Sequence, residues 1–375
     1  MHRTISTWIM DTNDIEVAII GGGVIGLAAA HAISEAGHSV CVLEREPRPG
    51  MATSTHNSQV IHAGLYDPSG SLKGRHCIEG APLLYAFCDQ HRVPVMRLGK
   101  LIVAYSDADA GRLADIHTQA TANGARGLTL VDAAFVRSRE PHVRPPVAAM
   151  YSPGTGILEA EALVRMLARL CTDRDVALLT GTPLTACEGG DASLTLVTPS
   201  ERIRAKVVIN AAGLYADEVS AMAGGEAFTI YPCRGEYAEL VPSRRGMVTG
   251  LVYPLPHTHG LGVHITKTVA GSVTFGPTAA YQERKDDYEG HRLPLEAFLE
   301  PARELLPAVT FDDLRPGGTG IRPKLHPPTE SYADFLIRRD ARVPRLIHAA
   351  GIESPGLTGC LSIARDLAAL VDETL

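Results

Sequence analysis

The chain has 375 residues, 45% of them hydrophobic and 21% charged, which suits a globular protein of two domains sharing one core region. A net charge of -7 and a pI near 6.1 exclude a broad nucleic-acid footprint. No apolar run reaches the roughly 18 residues of a spanning helix, and seven scattered cysteines without a C-x-x-C pair exclude a zinc ribbon or a disulfide framework.

Residues 1–14 read as an N-terminal extension. They hold no apolar stretch long enough for a secretory signal, and Met10 is an alternative start. Val17 to Ile20 form a continuous apolar run, as in a strand buried on both faces. Gly21-Gly22-Gly23-Val24-Ile25-Gly26 then fits G-x-G-x-x-G. In such a motif Gly21 makes the tight turn, Gly23 admits a pyrophosphate close to the backbone, and Gly26 lets the helix pack on the sheet. The small-residue helix that follows turns its N-terminal amides toward the phosphates, with Val24 and Ile25 in its first turn. Gly37 stops it, Ser39 to Leu43 form the second strand, and Glu44 stands where a carboxylate binds ribose hydroxyls, with Arg45 next to it. This order of elements predicts a dinucleotide-binding βαβ unit.

A polar loop with two histidines, His56 and His62, follows, and loops of this length inside compact domains are often functional. Ser71 to His91 has helical spacing, although Gly74 and Gly80 weaken it. A strand over Lys100–Tyr105 precedes a helix that Ser106 caps and Gly124 ends. Proline-rich connections hold a short strand at Ala148–Ser152, and Glu159–Arg169 is an amphipathic helix. Strands are expected at Val176–Leu179 and Thr182–Cys187, then a hairpin over Gly189-Gly190. The buried strand Ala205–Ile209 opens into Asn210-Ala211-Ala212-Gly213. From about 220 to 320 strands and turns predict an antiparallel sheet, with a helical excursion near 293–306. Strands resume at Leu336–Arg338 and Leu346–Ala349, and the loop Gly351–Thr358 leads into a C-terminal helix reaching Val371.

The fold class expected is α/β: a Rossmann-like βαβ domain with an antiparallel-sheet substrate domain, of α+β character, inserted. The first domain takes 15–80, 156–220 and 321–375, and the substrate domain takes mainly 81–155 and then 221–320.

Nicotinamide enzymes and flavoproteins both open with this fingerprint. Two features favour flavin adenine dinucleotide. The small residues Asn210–Gly213 end a second buried strand, and the Gly351–Thr358 loop before a helix would set a positive helix end by the flavin pyrimidine edge. No second complete G-x-G-x-x-G supplies a separate NAD(P)H domain.

More specific segments are His56-Asn57-Ser58-Gln59-Val60-Ile61-His62-Ala63-Gly64, Gly99-Lys100-Leu101-Ile102-Val103-Ala104, Arg234-Gly235-Glu236-Tyr237, Leu261-Gly262-Val263-His264, Gly320-Ile321-Arg322-Pro323-Lys324 and Glu353-Ser354-Pro355-Gly356-Leu357-Thr358. With them the chain, from about Ile15 to its C-terminus, resembles the D-amino-acid-oxidase-like superfamily of FAD-dependent amine and 2-hydroxy-acid oxidoreductases, within it the L-2-hydroxyglutarate dehydrogenase/oxidase family. It departs at Gln59, where that family's loop reads H-N-S-G, and at Leu65-Tyr66-Asp67, where I-Y-Y usually stands.

The resemblance implies oxidation of a small 2-hydroxy acid, with hydride passing from the α carbon to flavin N5 while a base takes the hydroxyl proton. Histidine suits that base, because its ordinary pKa of about 6.5 lies near working pH, and His62 and His264 are the candidates. A dicarboxylate needs cationic anchors. Arg322 and Lys324, two apart on a strand-like segment, are expected on one face, with Arg234, Lys73 and Arg75 as further candidates, and Tyr253 is expected to touch the substrate as well. FAD itself is expected against Gly21, Gly23, Val24, Ile25, Gly26, Glu44, Arg45, Thr55, His56, Asn57, Ser58, Leu184, Ala211, Gly213, Gly320, Gly351, Glu353, Ser354, Pro355, Gly356, Leu357 and Thr358. It is expected without a covalent bond, although some relatives attach flavin through histidine or cysteine, and with no metal.

The alternatives are an amino-acid or secondary-amine oxidase on the same scaffold, or a flavin-binding subunit with a silent site. The electron acceptor stays open between oxygen, a quinone and a carrier protein. A cytoplasmic location is expected, with peripheral contact with the inner face of the membrane left open.

Overall fold

The computed structural model describes residues 12–255 and 262–375. The opening strand, Thr12–Ile20, is the centre of the first sheet. It pairs in parallel with Val40–Glu44 on one side and Arg202–Asn210 on the other. Parallel pairing continues outward to Ala177–Thr180 and to Leu346–Ala350, so segments far apart in sequence return to one sheet. Val17, Ala18 and Ile19 are fully buried, because helices cover one face and further structure the other. That two-sided burial explains an unbroken apolar run in place of alternation.

The helix Val24–Glu35 packs on Ala160–Thr172 and on the terminal helix Gly356–Asp372, which in turn holds Leu72–His91. Leu27, Ile33, Leu84, Leu163, Leu167, Ile363 and Leu367 fill the layer between them. Gly80 has a packing role here. A Cβ at that position would meet Thr358 O at 2.5 Å and Gly359 Cα at 2.7 Å, so the glycine lets the two helices cross closely.

The second sheet is mainly antiparallel. Its longest pairing joins Tyr231–Leu240 to Leu314–Lys324, with an irregularity between Glu236 and Ala238. Lys100–Ala104 enters the same sheet, parallel to Leu251–Pro254 and antiparallel to Ala148–Ser152. A small sheet of Val60–Ile61, Gly156–Leu158 and Val95–Met96 sits apart from both.

Several expectations shift. The boundary at 14/15 falls inside the opening strand, that at 80/81 inside the helix Leu72–His91, that at 220/221 inside the helix Ala216–Met222, and that at 320/321 inside the strand Leu314–Lys324. Residues 1–11 lie outside the described residues. The strand expected at Thr182–Cys187 begins only at Ala186, after Pro183, which has no N–H to give a ladder. The short helix Ala133–Arg139, capped by the Asp132 side chain accepting from Phe135 N, lies within the expected connections. Pro316, Gly317 and Gly318 hide the first half of Leu314–Lys324 from any strand pattern.

Candidate active site

A cavity of about 900 Å³ runs between the two sheets, within the range of about 300–1,000 Å³ usual for small-molecule sites. One end is built from the carboxyl ends of the parallel strands, at Ile20, Leu43, Ala211 and Ala349, where open α/β sheets bind ligands.

The glycines there do steric work. Gly21 has φ +110°, and a Cβ on it would lie 2.4 Å from Ala211 O. A Cβ on Gly26 would stand 2.0 Å from Gly21 O, so this residue seats the helix on the turn and does not line the cavity. Glu44 Oε2 accepts from Gly22 N at 2.8 Å and Oε1 from Glu46 N at 2.8 Å. Burial pushes its carboxyl up in spite of these bonds. Beside it the Arg45 guanidinium lies 3.7 Å from the Tyr215 ring centroid.

At the other end, His62 and His264 both line the cavity, one from the first chain segment and one from the second sheet. His62 N donates to Thr358 Oγ1 at 3.0 Å, and its Nε2 lies 3.3 Å from Ser354 Oγ. The segment 353–358, which runs from the loop into the first turn of the terminal helix, therefore holds this imidazole. His264 stacks on Tyr253, ring centroids 3.8 Å apart, with Nδ1 3.0 Å from Gly262 O. A carbonyl only accepts, so Nδ1 carries the proton, and Nε2 of the neutral ring keeps its lone pair. Burial, reinforced by the charge of Lys100, pushes both imidazoles down to about 3.

Arg322 and Lys324 line the same end, as their spacing predicts. Arg322 donates Nη1 and Nη2 to Thr278 O, both at 3.2 Å, and forms no ion pair among the described residues. Lys324 and Lys73 share Glu353, at 3.1 and 3.0 Å. Burial alone would raise the Glu353 carboxyl, but the two ammonium groups hold it below its ordinary value.

Most of the expected contacts come together: Gly21, Gly23, Val24, Ile25, Glu44, Arg45, His56, Asn57, Ser58, Leu184, Ala211, Gly213, Gly320, Glu353, Ser354, Pro355, Gly356, Leu357, Thr358 and Tyr253 all line the cavity. Others do not. Arg234 turns away, its guanidinium on Glu236 and on the carbonyls of Gly290 and His291, so it serves the second domain's own structure. Lys73 stands behind Glu353. Arg75 pairs with Asp366 on the surface. Thr55 bonds Gly50 O, and Gly351 packs against Leu325.

Sequence reasoning missed Ser54, whose Oγ accepts from Val24 N at 2.9 Å, and Tyr237, Thr278 and Tyr281, which line the cavity at the end that holds Arg322. It also missed Lys100, buried beside Tyr253. The signals for it were a lysine opening the strand ahead of the apolar run Leu101–Ala104 and its place in the segment Gly99–Ala104. Gln59 takes a left-handed conformation, φ 59°, where the resembling loops carry glycine. Its Oε1 accepts from Ala160 N at 3.3 Å and its N–H donates to Asn57 Oδ1 at 2.8 Å.

Comparison with known proteins agrees with this architecture. The family described as FAD dependent oxidoreductase matches residues 16–370. L-2-hydroxyglutarate dehydrogenase, mitochondrial, of Arabidopsis thaliana is 32% identical, over 94% of this chain and 83% of the plant protein. L-2-hydroxyglutarate dehydrogenase of Escherichia coli (strain K12) is 28% identical, over 96% and 94%. Among solved structures, dithionite-reduced L-alpha-glycerophosphate oxidase from Mycoplasma pneumoniae with FAD bound superposes with a TM-score of 0.88 at 25% identity, covering 96% of this chain and 95% of that one. Glycine oxidase from Geobacillus kaustophilus shares the fold, with a TM-score of 0.83 at 21% identity and coverage of 96% and 95%. Among the described residues no helix is long and apolar enough to cross a membrane.

Proposed function

The chain belongs to the FAD dependent oxidoreductase family, and from that premise we propose that it oxidises L-2-hydroxyglutarate to 2-oxoglutarate. The cavity fits FAD. Gly21 sits at a positive φ under Ala211 O, and Gly23 leaves room that a Cβ, 2.9 Å from Ser54 Oγ, would crowd. These residues, with the first turn of Val24–Glu35, would hold the pyrophosphate, and Glu44 the ribose. Arg45, Leu184 and Tyr215 would close the nucleotide end, and Asn57, Ser58 and residues 353–358 the ring end. When bound, FAD supplies the two-electron acceptor for the oxidation.

The observation that carries the reading is the joining of two neutral imidazoles with a guanidinium that has no ion pair among the described residues, at one end of the cavity. Arg322, with Lys324 beside it, would hold substrate carboxylate through a planar fork. The pair His62 and His264 would take the hydroxyl proton. Both rings are unprotonated at neutral pH, and His264 Nε2 offers a lone pair with no internal hydrogen to remove first. Tyr253 keeps the His264 ring in place by stacking. His56 bonds Ala52 O and rests against Tyr288, and Cys360 is buried in the terminal helix, which supports the reading of FAD held without a covalent bond.

The test is anaerobic mixing of the purified yellow protein with L-2-hydroxyglutarate, its D isomer, other 2-hydroxy acids and amino acids. Loss of oxidised-flavin absorbance with L-2-hydroxyglutarate, and 2-oxoglutarate formed in equal amount, is the expected result. Bleaching only by amines or amino acids would overturn it. Admitting oxygen or a quinone afterwards identifies the electron acceptor.

A further inference from the structure

Lys100 is 1% exposed, the first residue of a strand whose other members are Leu101, Ile102, Val103 and Ala104. Burying an ammonium group normally requires a carboxylate partner, because the charge loses its hydration. Among the described residues Lys100 has none. Its Nζ lies 4.6 Å from the Tyr253 ring centroid and 5.4 Å from that of Tyr66. The groups that face it are Tyr253 from the neighbouring strand, Tyr66 and His62 from the loop segment, Cys77 from the helix Leu72–His91, and His264 across the Tyr253 stack. The Cys77 thiol is itself pushed up to about 12 by burial and stays neutral. Arg322 is the other cation acting on His264.

We propose that Lys100 is a positioning residue: its unpaired charge, set behind Tyr253, keeps His62 and His264 in their proton-accepting form while the cavity fills with an anionic substrate. The substrate's negative charge would otherwise draw a proton onto the imidazoles and remove the base. Two aromatic faces hold the cation there without neutralising it, as a carboxylate would. Burial and the lack of a counter-charge push Lys100 down to about 8, so it is still mainly protonated at neutral pH. A like charge near an imidazole favours the neutral ring.

The proposal rests on the reading that this histidine pair carries the proton, and the two are tested separately. In the wild-type holoenzyme, kcat against pH, which reports the substrate-filled enzyme, should show an acid limb that changes in His62→Asn or His264→Asn; failure of that step sinks the histidine reading. With the limb established, Lys100→Met should keep FAD bound and move the limb of kcat up by about one pH unit, so that activity falls about tenfold on the acid side of the wild-type limb and is unchanged well above it. Lys100→Ala with added methylamine should return the limb toward its wild-type position, which a packing defect would not do. A folded, yellow Lys100→Met enzyme with an unmoved acid limb would overturn the proposal. If Lys100→Met does not fold, an acid limb in Lys100→Ala that matches wild type and ignores methylamine would do the same.

Discussion

Gly235 leaves the space that the Arg322 guanidinium occupies: a Cβ there would stand 2.9 Å from Nη2 and 3.1 Å from Nη1. The two residues belong to paired strands, where Gly235 faces Gly320 and Cys233 faces Arg322. Arg322 can therefore turn along the sheet into the cavity only because its diagonal neighbour has no side chain.

Gly235→Ala should displace the guanidinium and raise the KM for L-2-hydroxyglutarate roughly tenfold, with FAD retained, as one good carboxylate fork is worth about 1.5–3 kcal/mol. Arg322→Met should lower kcat/KM by about 10²-fold or more on the same grounds. Steady-state kinetics with flavin content measured alongside check both. Wild-type kinetics in Arg322→Met would remove the anchor role.

The histidine pair should behave as a unit. His62→Asn and His264→Asn should each cost about 10²–10⁴ in kcat/KM. The double variant should cost little more than the worse single one, because groups serving one step are not additive. Full additivity would show that they serve different steps.

Glu353→Gln leaves Lys73 and Lys324 without their shared carboxylate. Breaking a buried ion pair on one side costs about 3–5 kcal/mol, so the urea midpoint should fall sharply. Adding Lys73→Met should recover part of the loss. An unshifted midpoint would mean that the lysines find water or each other's distance tolerable.

Acid should weaken the fold through the same imidazoles. Their folded pKa lies near 3, below the ordinary 6.5, so between those values the unfolded chain binds more protons. Stability then rises with pH across that window and is lost as acid is added. Lys100 repeats the sign between about 8 and 10.5. Thermal melts at pH 5 and pH 7 should differ less in a His62→Asn, His264→Asn double variant than in wild type. Equal differences would place the acid sensitivity elsewhere.

Gly26→Ala should abolish FAD binding and destabilise the chain, since its Cβ would lie 2.0 Å from Gly21 O, backbone that cannot yield without opening the turn. A yellow, wild-type-like Gly26→Ala protein would overturn the assigned geometry of the turn.

The dinucleotide unit was legible because its physics is local. A turn at positive φ, a helix N-terminus and a strand buried on both faces each leave a mark within a few residues, and Gly21 to Glu44 carry them all. The pairing of Arg322 and Lys324 on one face was equally legible, because strand side chains repeat every second residue. The strand Leu314–Lys324 was half hidden, since its prolines and glycines contradict strand propensity and only its partner Tyr231–Leu240 holds them extended.

Sequence could put Arg322 and Lys324 first among the cations, but it could not say which cation is paired and by what. Arg234, Arg322, Lys73, Lys324 and Lys100 are alike as letters, and their fates depend on carboxylates and carbonyls distant in the chain. Glu353 takes two of them, Glu236 and the carbonyls of Gly290 and His291 take Arg234, and two aromatic rings leave Lys100 charged and unpaired among the described residues. The sequence by itself determined the cofactor-binding frame and the chemical kind of the site. Which charges line the cavity was set by tertiary structure, because an ion's partner is chosen by distance in space and by the loss of water around it.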